Sequence, residues 1–233
     1  MMVKMLKDIK NLAVIAHDLK APISAVIDLL SVIEKGYVDD PNKVRELISR
    51  ARQKSETLIK MVEDILDYTM LEGTSEMKRE KLDIFSIIKE SISIIRPYAK
   101  DRNISLNYCQ KSCREKYVNG NDTALLRAFN NVFMNAVKYN RENGKIDTRC
   151  SENSNQTMTI EIRDTGIGIS KEDLKNVFDI FSRGKEASKN FNGSIGLGLA
   201  IVKQIIKDHD GSIYISSTLD VGTTVNIKLP LFI

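Results

Sequence analysis

An α+β fold is predicted: an N-terminal antiparallel helical hairpin that forms a dimeric four-helix bundle, followed by an α/β sandwich. Three observations carry this reading. First, Leu6, Ile9, Ala13, Ala16, Lys20, Ile23, Ile27 and Leu30 recur in alternating three- and four-residue steps, and Val44, Leu47, Ala51, Lys54, Leu58, Met61, Ile65 and Tyr68 repeat the pattern. Such spacing lays a seam along one face of each helix, as in a bundle or coiled coil. Second, Gly36-Tyr37-Val38-Asp39-Asp40-Pro41 separates the two runs, with Gly suited to ending one helix and Pro to starting the next. Third, beyond a polar stretch from Leu71 to Leu82, helical segments interleave with strand hairpins. Two helices alone bury little surface, so the hairpin needs a second copy of itself, which a homodimer supplies most simply.

The elements of the second part follow in order. Ile84–Ala99 has helical periodicity, and Ile104–Tyr108 and Lys116–Val118 read as short strands. Asp122–Tyr139 reads as a helix capped by Asn121 or Asp122. Lys145–Cys150 and Met158–Arg163 alternate like a β-hairpin across the polar run Ser151–Gln156. Gly196–Asp208 is a helix, and Ser212–Ser216 and Thr223–Leu229 close the chain as strands around Gly222.

Bulk properties exclude several classes. The 233 residues carry a net charge of +4 spread along the chain, with 42% hydrophobic and 28% charged residues. This is an ordinary globular balance with no concentrated basic patch, so no nucleic-acid partner is expected. No apolar run approaches the roughly 20 residues needed to span a bilayer. The first residues are too interrupted by charge for a secretory signal. Cys109, Cys113 and Cys150 are an odd number without a CxxC pair, so reduced thiols in a cytoplasmic protein are expected and a zinc site is not. With 2 histidines in the chain, any histidine chemistry uses His17 or His209.

Four segments carry chemistry and a fifth stands beside them as a lid. His17-Asp18-Leu19-Lys20-Ala21-Pro22 lies mid-helix, one residue off the apolar seam. Pro22 removes a helical hydrogen bond at a cost of about 3 kcal/mol. A neutral imidazole is a nucleophile near neutral pH, and the adjacent carboxylate can orient it or take its proton; by itself the segment also fits an inert surface histidine beside a kink. Asn131, Asn135 and Lys138 share a helix face, where two amide oxygens and an ammonium suit a Mg²⁺-phosphate group or, equally, an amphipathic helix's polar face. Asp164-Thr165-Gly166-Ile167-Gly168 follows a strand and offers a carboxylate to an exocyclic amino group, beside glycines that allow close backbone approach. Gly193-Ser194-Ile195-Gly196-Leu197-Gly198-Leu199 opens a helix, a ready anion site. It lacks both the dinucleotide fingerprint and the Walker ending. Phe178–Arg183 and the polar run after it read as an anchored lid.

Taken in order, these segments resemble the sensor histidine kinases of two-component systems. His17–Pro22 resembles the family's H box, Asn131–Tyr139 its N box, Asp164–Gly168 its G1 box, Phe178–Arg183 its F box and Gly193–Leu199 its G2 box. The closing His209-Asp210-Gly211 and Gly222-Thr223 are similar to its terminal strands. The resemblance implies a dimerisation and phosphotransfer domain over 1–71, a linker over 72–82 and a Bergerat-type ATP-binding domain over 83–233. By position, Asn135 helped by Asn131 would hold Mg²⁺. Lys138 and Tyr139 would flank ATP, Asp164 would read the adenine amino group, and Gly166, Gly168, Gly196 and Gly198 would admit the nucleotide. Arg183 would meet the phosphates, and Thr223 would line the site. His17 would attack the γ-phosphate with Asp18 as its proton partner, then pass the phosphoryl group to an aspartate of a response regulator, docked near Ser24 and Asp28.

Two departures qualify the resemblance. Ala21 stands where the family often has Thr or Asn to orient a water, which implies weakened dephosphorylation of the regulator. Ser194 replaces the first glycine of a Gly-x-Gly-x-Gly run. The start of the chain close to the phosphoacceptor helix suggests an excised fragment or a kinase signalled by another chain. The alternatives are a non-catalytic nucleotide-binding scaffold (a pseudokinase) and a related Bergerat-fold ATPase or serine kinase. Asp18 and the full set of boxes argue for activity, and the H box within a hairpin argues against the last.

Overall fold

The computed structural model describes residues 2–72, 78–108, 115–153, 156–182 and 196–232, with hairpin side chains described at 15, 16 and 18–66. Helices α1 (Met2–Glu34) and α2 (Pro41–Glu72) form the expected hairpin. The turn is set by local chemistry. The Tyr37 N–H donates to the Val32 carbonyl and the Gly36 N–H to that of Ile33, with Gly36 at φ 66, so the last carbonyls of α1 are satisfied by a glycine-dependent cap. Asp40 opens α2 by accepting from the Asn42 N–H at 2.9 Å. Pro22 lies inside α1, which continues through it.

The two seams differ. On α2, Ala51 and Met61 are buried and Val44, Leu47, Lys54, Leu58 and Ile65 half-buried, matching the predicted stripe. On α1 the stripe predicted to be buried is not the one that meets α2. Ile23, Ile27 and Leu30 are about half exposed or more, while Leu19, Pro22, Val26, Leu29 and Ile33 are half-buried. The reason is that α1 carries apolar residues on two neighbouring stripes, and the hairpin uses the one beside the predicted seam.

Past the hairpin, β1 (Glu80–Asp83) pairs antiparallel with β3 (Tyr117–Gly120), so a strand stands within the stretch expected to be linker. Asp83 caps α3 (Ile84–Asp101), accepting from the Phe85 N–H at 3.1 Å and the Ser86 hydroxyl at 2.8 Å. Asn121 caps α4 (Asp122–Lys138), accepting from the Ala124 N–H. The remaining elements are β2 (Ser105–Tyr108), β4 (Lys145–Asn153), β5 (Thr157–Asp164), the one-turn α5 (Lys171–Leu174), α6 (Gly198–Asp208), β6 (Ser212–Thr218) and β7 (Gly222–Pro230). Among the described residues the main sheet has five strands in the order β2-β4-β5-β7-β6, parallel only between β2 and β4. One face alternates apolar. Ile146 and Cys150 of β4, Met158, Ile160 and Ile162 of β5, and Val225, Ile227 and Leu229 of β7 point into the core shared with α3, α4 and α6. This is the predicted α+β sandwich.

One expectation is corrected. Cys150 is disulfide-bonded rather than a free thiol. Cys150 stands two residues beyond Thr148, which pairs with Tyr108 of the parallel strand β2, and its side chain is buried in the core. The other two cysteines, Cys109 and Cys113, lie outside the described residues.

Candidate functional site

A cavity of about 210 Å³ opens between α4, the end of β5, the start of α6 and the β6–β7 side of the sheet. Its lining includes Asn131, Asn135, Lys138 and Tyr139 from α4 and its end, Asp164 and Gly168 from β5 and the following loop, Gly196 and Gly198 at α6, and Thr223 of β7. All are residues singled out in the sequence, now brought to one place from segments far apart in the chain. Gly166 does not line the cavity but holds its key carboxylate. Arg183 lies outside the described residues, as do Gly193, Ser194 and Ile195. For His17 the backbone is described, within α1, and the side chain is not.

Asp164 is almost fully buried at the end of β5. Its Oδ1 accepts from the Gly166 N–H at 2.8 Å and the Thr223 N–H at 3.2 Å. Burial pushes the carboxyl up to about 6, against the lowering effect of these two bonds. Both bonds reach the same oxygen, so the second oxygen is left for a donor in the cavity. The loop after Asp164 is clamped from three sides. The Ile167 N–H donates to the Tyr139 carbonyl, the Ile169 N–H donates to Ser217 Oγ, and the Ile167 carbonyl accepts from the Asp220 N–H.

The glycines have an explanation in the chain itself. A Cβ at Gly166 would stand 2.3 Å from the Tyr139 carbonyl oxygen, and one at Gly168, where φ is 70, would stand 2.1 Å from that of Thr218. At Gly196, with φ 77, it would meet the Ser182 carbonyl at 2.5 Å. These positions need glycine to close the loops on their own backbone before any ligand is considered. Phe181, itself at φ 63, donates its N–H to the Gly196 carbonyl and so ties the segment ending at Ser182 to the start of the Gly196 segment. Phe178 and Phe181 pack against the core, and the Lys203 ammonium sits 5.2 Å from the Phe178 ring centre.

The polar face of α4 is prepared for an incoming group. Neither the Asn131 nor the Asn135 side chain spends its amide on a hydrogen bond among the described residues, and both line the cavity. Lys138 lies over the Tyr139 ring at 5.2 Å. The end of α4 is fixed by Arg102, whose guanidinium donates to the carbonyls of Val137 (2.6 Å), Lys138 (2.8 Å) and Asn140 (2.7 Å). A cation on the last carbonyls of a helix satisfies groups the helix leaves open and complements its dipole. Among the described residues no cluster of acidic, histidine or cysteine side chains could hold a metal by itself. The two amide oxygens fit a hard cation that takes its other ligands from phosphates and water.

The second histidine has a different task. His209 is buried, its Nε2 accepts from the Asn121 N–H at 2.9 Å, and its Nδ1 lies 2.7 Å from the Ile205 carbonyl. Nδ1 is therefore the protonated nitrogen of a neutral ring, and burial keeps its pKa below the usual histidine value. Both nitrogens are occupied in holding the N-terminus of α4 to the end of α6.

Residues 9–74 match the model of the His Kinase A (phospho-acceptor) domain, and residues 120–233 match that of the histidine kinase-, DNA gyrase B- and HSP90-like ATPases. The chain belongs to the sensor histidine kinase family. The sensor protein kinase WalK of Staphylococcus aureus is 29% identical over 218 residues, 93% of this chain and 52% of that protein. The chain spans about half the length of this curated relative. A mycobacterial sensor histidine kinase, MprB, is 28% identical with a TM-score of 0.55 over 66% of this chain and 97% of the solved one. The histidine kinase ThkA, solved in complex with the response regulator protein TrrA, shares the fold at a TM-score of 0.77 and 20% identity, over 99% of this chain and 63% of its own. No described helix is long and apolar enough to cross a membrane.

Sequence reasoning missed part of the cavity. Ile162, Ile215 and Val225 form its apolar floor and were readable as inward positions of alternating strands. Lys60 and Asp64 of α2 also line it, and nothing in their local sequence marks them.

Proposed function

We propose that this chain is an ATP-dependent protein histidine kinase that phosphorylates itself on His17 and passes the phosphoryl group to an aspartate of a response regulator. The observation that carries the reading is the cavity in which Asn131, Asn135, Lys138, Asp164, Gly168, Gly196 and Gly198 converge, in a chain whose hairpin carries His17. The free oxygen of Asp164 would accept the adenine N6 amino hydrogen while the apolar floor takes the ring. Asn135 and Asn131 would hold Mg²⁺, which when bound supplies charge neutralisation to the phosphates. Lys138 and Arg183 would flank the phosphates, and the N-terminus of α6 would face them. A neutral His17 nitrogen would attack the γ-phosphorus in line, the bond to the β-γ bridging oxygen would break, and ADP would leave. Asp18, its neighbour in the helix, would orient the ring or receive its proton.

The exposed Ile23, Ile27 and Leu30 of α1 and Ile48, Ile59, Val62 and Leu66 of α2 support a homodimer that buries them in a four-helix bundle. A receiver-domain partner is supported by the ThkA–TrrA complex, with Ser24 and Asp28 exposed on α1 and available to it. Ala21 offers no hydroxyl or amide for positioning a water, so transfer to the regulator should outpace its dephosphorylation. The deciding experiment is incubation with γ-labelled ATP and Mg²⁺. Acid-labile, alkali-stable label that disappears in His17→Gln is expected; label retained by that variant would overturn the assignment. A chain that binds ADP but never labels would be the scaffold alternative.

A further inference from the structure

We propose that the hairpin completes the nucleotide site, with Lys60 of α2 as a contact for the nucleotide's phosphates. This inference rests on the reading of the cavity as a nucleotide site. It starts from a juxtaposition the boxes do not contain. Lys60 and Asp64, one turn apart on α2, line the same cavity as Asn131 and Asn135. Between them, Met61 is 5% exposed and belongs to the hydrophobic cluster that includes Leu197 and Ile201, with Ile65 packed against it. The docking of α2 is thus an apolar anchor at Met61 flanked by polar side chains facing the cavity.

The position of this contact selects the phosphate end of the site. On the sandwich, α2 packs chiefly against α6. The start of α6 stands beside Asn131: a Cβ added at Gly198 would lie 3.3 Å from Asn131 Oδ1. Asp164 and Thr223, the adenine end, belong to the sheet side instead. Lys60 is exposed, so its flexible ammonium is free to move toward an anion. Asp64, which has an interaction of its own, lies one turn further along the same face. The consequence is a direct coupling. Any displacement of α2 relative to the sandwich withdraws a phosphate contact, so affinity for the polyphosphate reports hairpin position while affinity for the nucleoside does not.

The test measures ADP with Mg²⁺, and adenosine, binding to the full chain by calorimetry. Lys60→Glu should weaken ADP about tenfold, an effect that shrinks with added salt, and leave adenosine unchanged. Lys60→Arg should keep the wild-type values. ADP affinity indifferent to Lys60→Glu would overturn the inference and leave the nucleotide reading standing. Equal weakening of ADP and adenosine would also overturn it, since that marks a general loosening of the docked helix. Absence of both ADP and adenosine binding in the wild-type chain would instead sink the nucleotide reading and the inference with it.

Discussion

Phe129 and Phe133 in the sandwich are fully buried, whereas Ile27 and Leu66 in the hairpin are 56% and 52% exposed. The sandwich closes its core within one chain because a sheet with one apolar face and three helices satisfy each other. A pair of helices has two apolar stripes apiece and can cover only one of them in a hairpin. The sandwich therefore owes its stability to its own packing, and the hairpin, as proposed, to association. The same contrast separates the two histidines. His209, locked by two hydrogen bonds, stabilises the sandwich, and His17 belongs to the region left open to partners.

The contrast makes measurable claims about each region. The largest effect is expected from Phe129→Ala, which should cost the sandwich about 3–5 kcal/mol, read as a lowered denaturation midpoint at every protein concentration. Ile27→Asp should leave that transition in place and weaken self-association by more than about a hundredfold, since a charge at an apolar interface costs several kcal/mol. Sedimentation that still shows a wild-type dimer for this variant would break the comparison at its hairpin side.

Asp164→Asn separates stability from binding inside the sandwich. The folded carboxyl, raised to about 6 from 3.8, binds more protons than the unfolded one between those values, so its contribution to stability falls as pH rises through that window. At pH 7.5 the nucleotide-free Asp164→Asn variant should accordingly be more stable than wild type by up to about 3 kcal/mol, with no gain at pH 3.5. It should bind adenosine at least about tenfold more weakly. Wild-type adenosine affinity should itself drop about tenfold between pH 7 and pH 5, as the acceptor carboxylate is protonated. The smallest effect concerns His209 and has the opposite sign. Its folded pKa is lowered, so its stabilisation is complete above 6.5 and is lost as pH falls below it. Urea titrations of Asp164→Asn, which lacks the competing carboxyl, should show this acid loss, and a His209→Gln variant on that background should flatten it.

Much of this molecule was legible without coordinates. Helix and strand are local choices, governed by periods of 3.6 and 2 and by caps such as Asn121 and the Gly36 turn, so all elements but the short β1 and α5 appear where their residues predict them. Most of the polar and glycine residues that line the cavity were also legible, because they stand in short runs of a few consecutive residues. Faces and partners were not. Whether Ile23 or Pro22 meets α2 depends on how one helix rolls against another, and both stripes are apolar. The requirement for glycine at Gly168 and Gly196 was anticipated for the sake of a ligand; the carbonyls of Thr218 and Ser182, both distant in sequence, are what impose it. That Cys150 is disulfide-bonded was not legible either, because an odd number of cysteines without a paired motif does not show which of them meet.

Most of the element order, the family and the polar and glycine residues that converge on the cavity could be read from the chain alone, since these depend on short-range pattern; β1, α5 and the cavity's apolar floor could not. It took the assembled fold to establish that Asp164 is held nearly dry at the end of β5, that His209 is committed to structure, and that Lys60 of the hairpin lines the cavity of the sandwich. Burial, register and docking are properties of distant segments meeting, and no single stretch of the chain carries them.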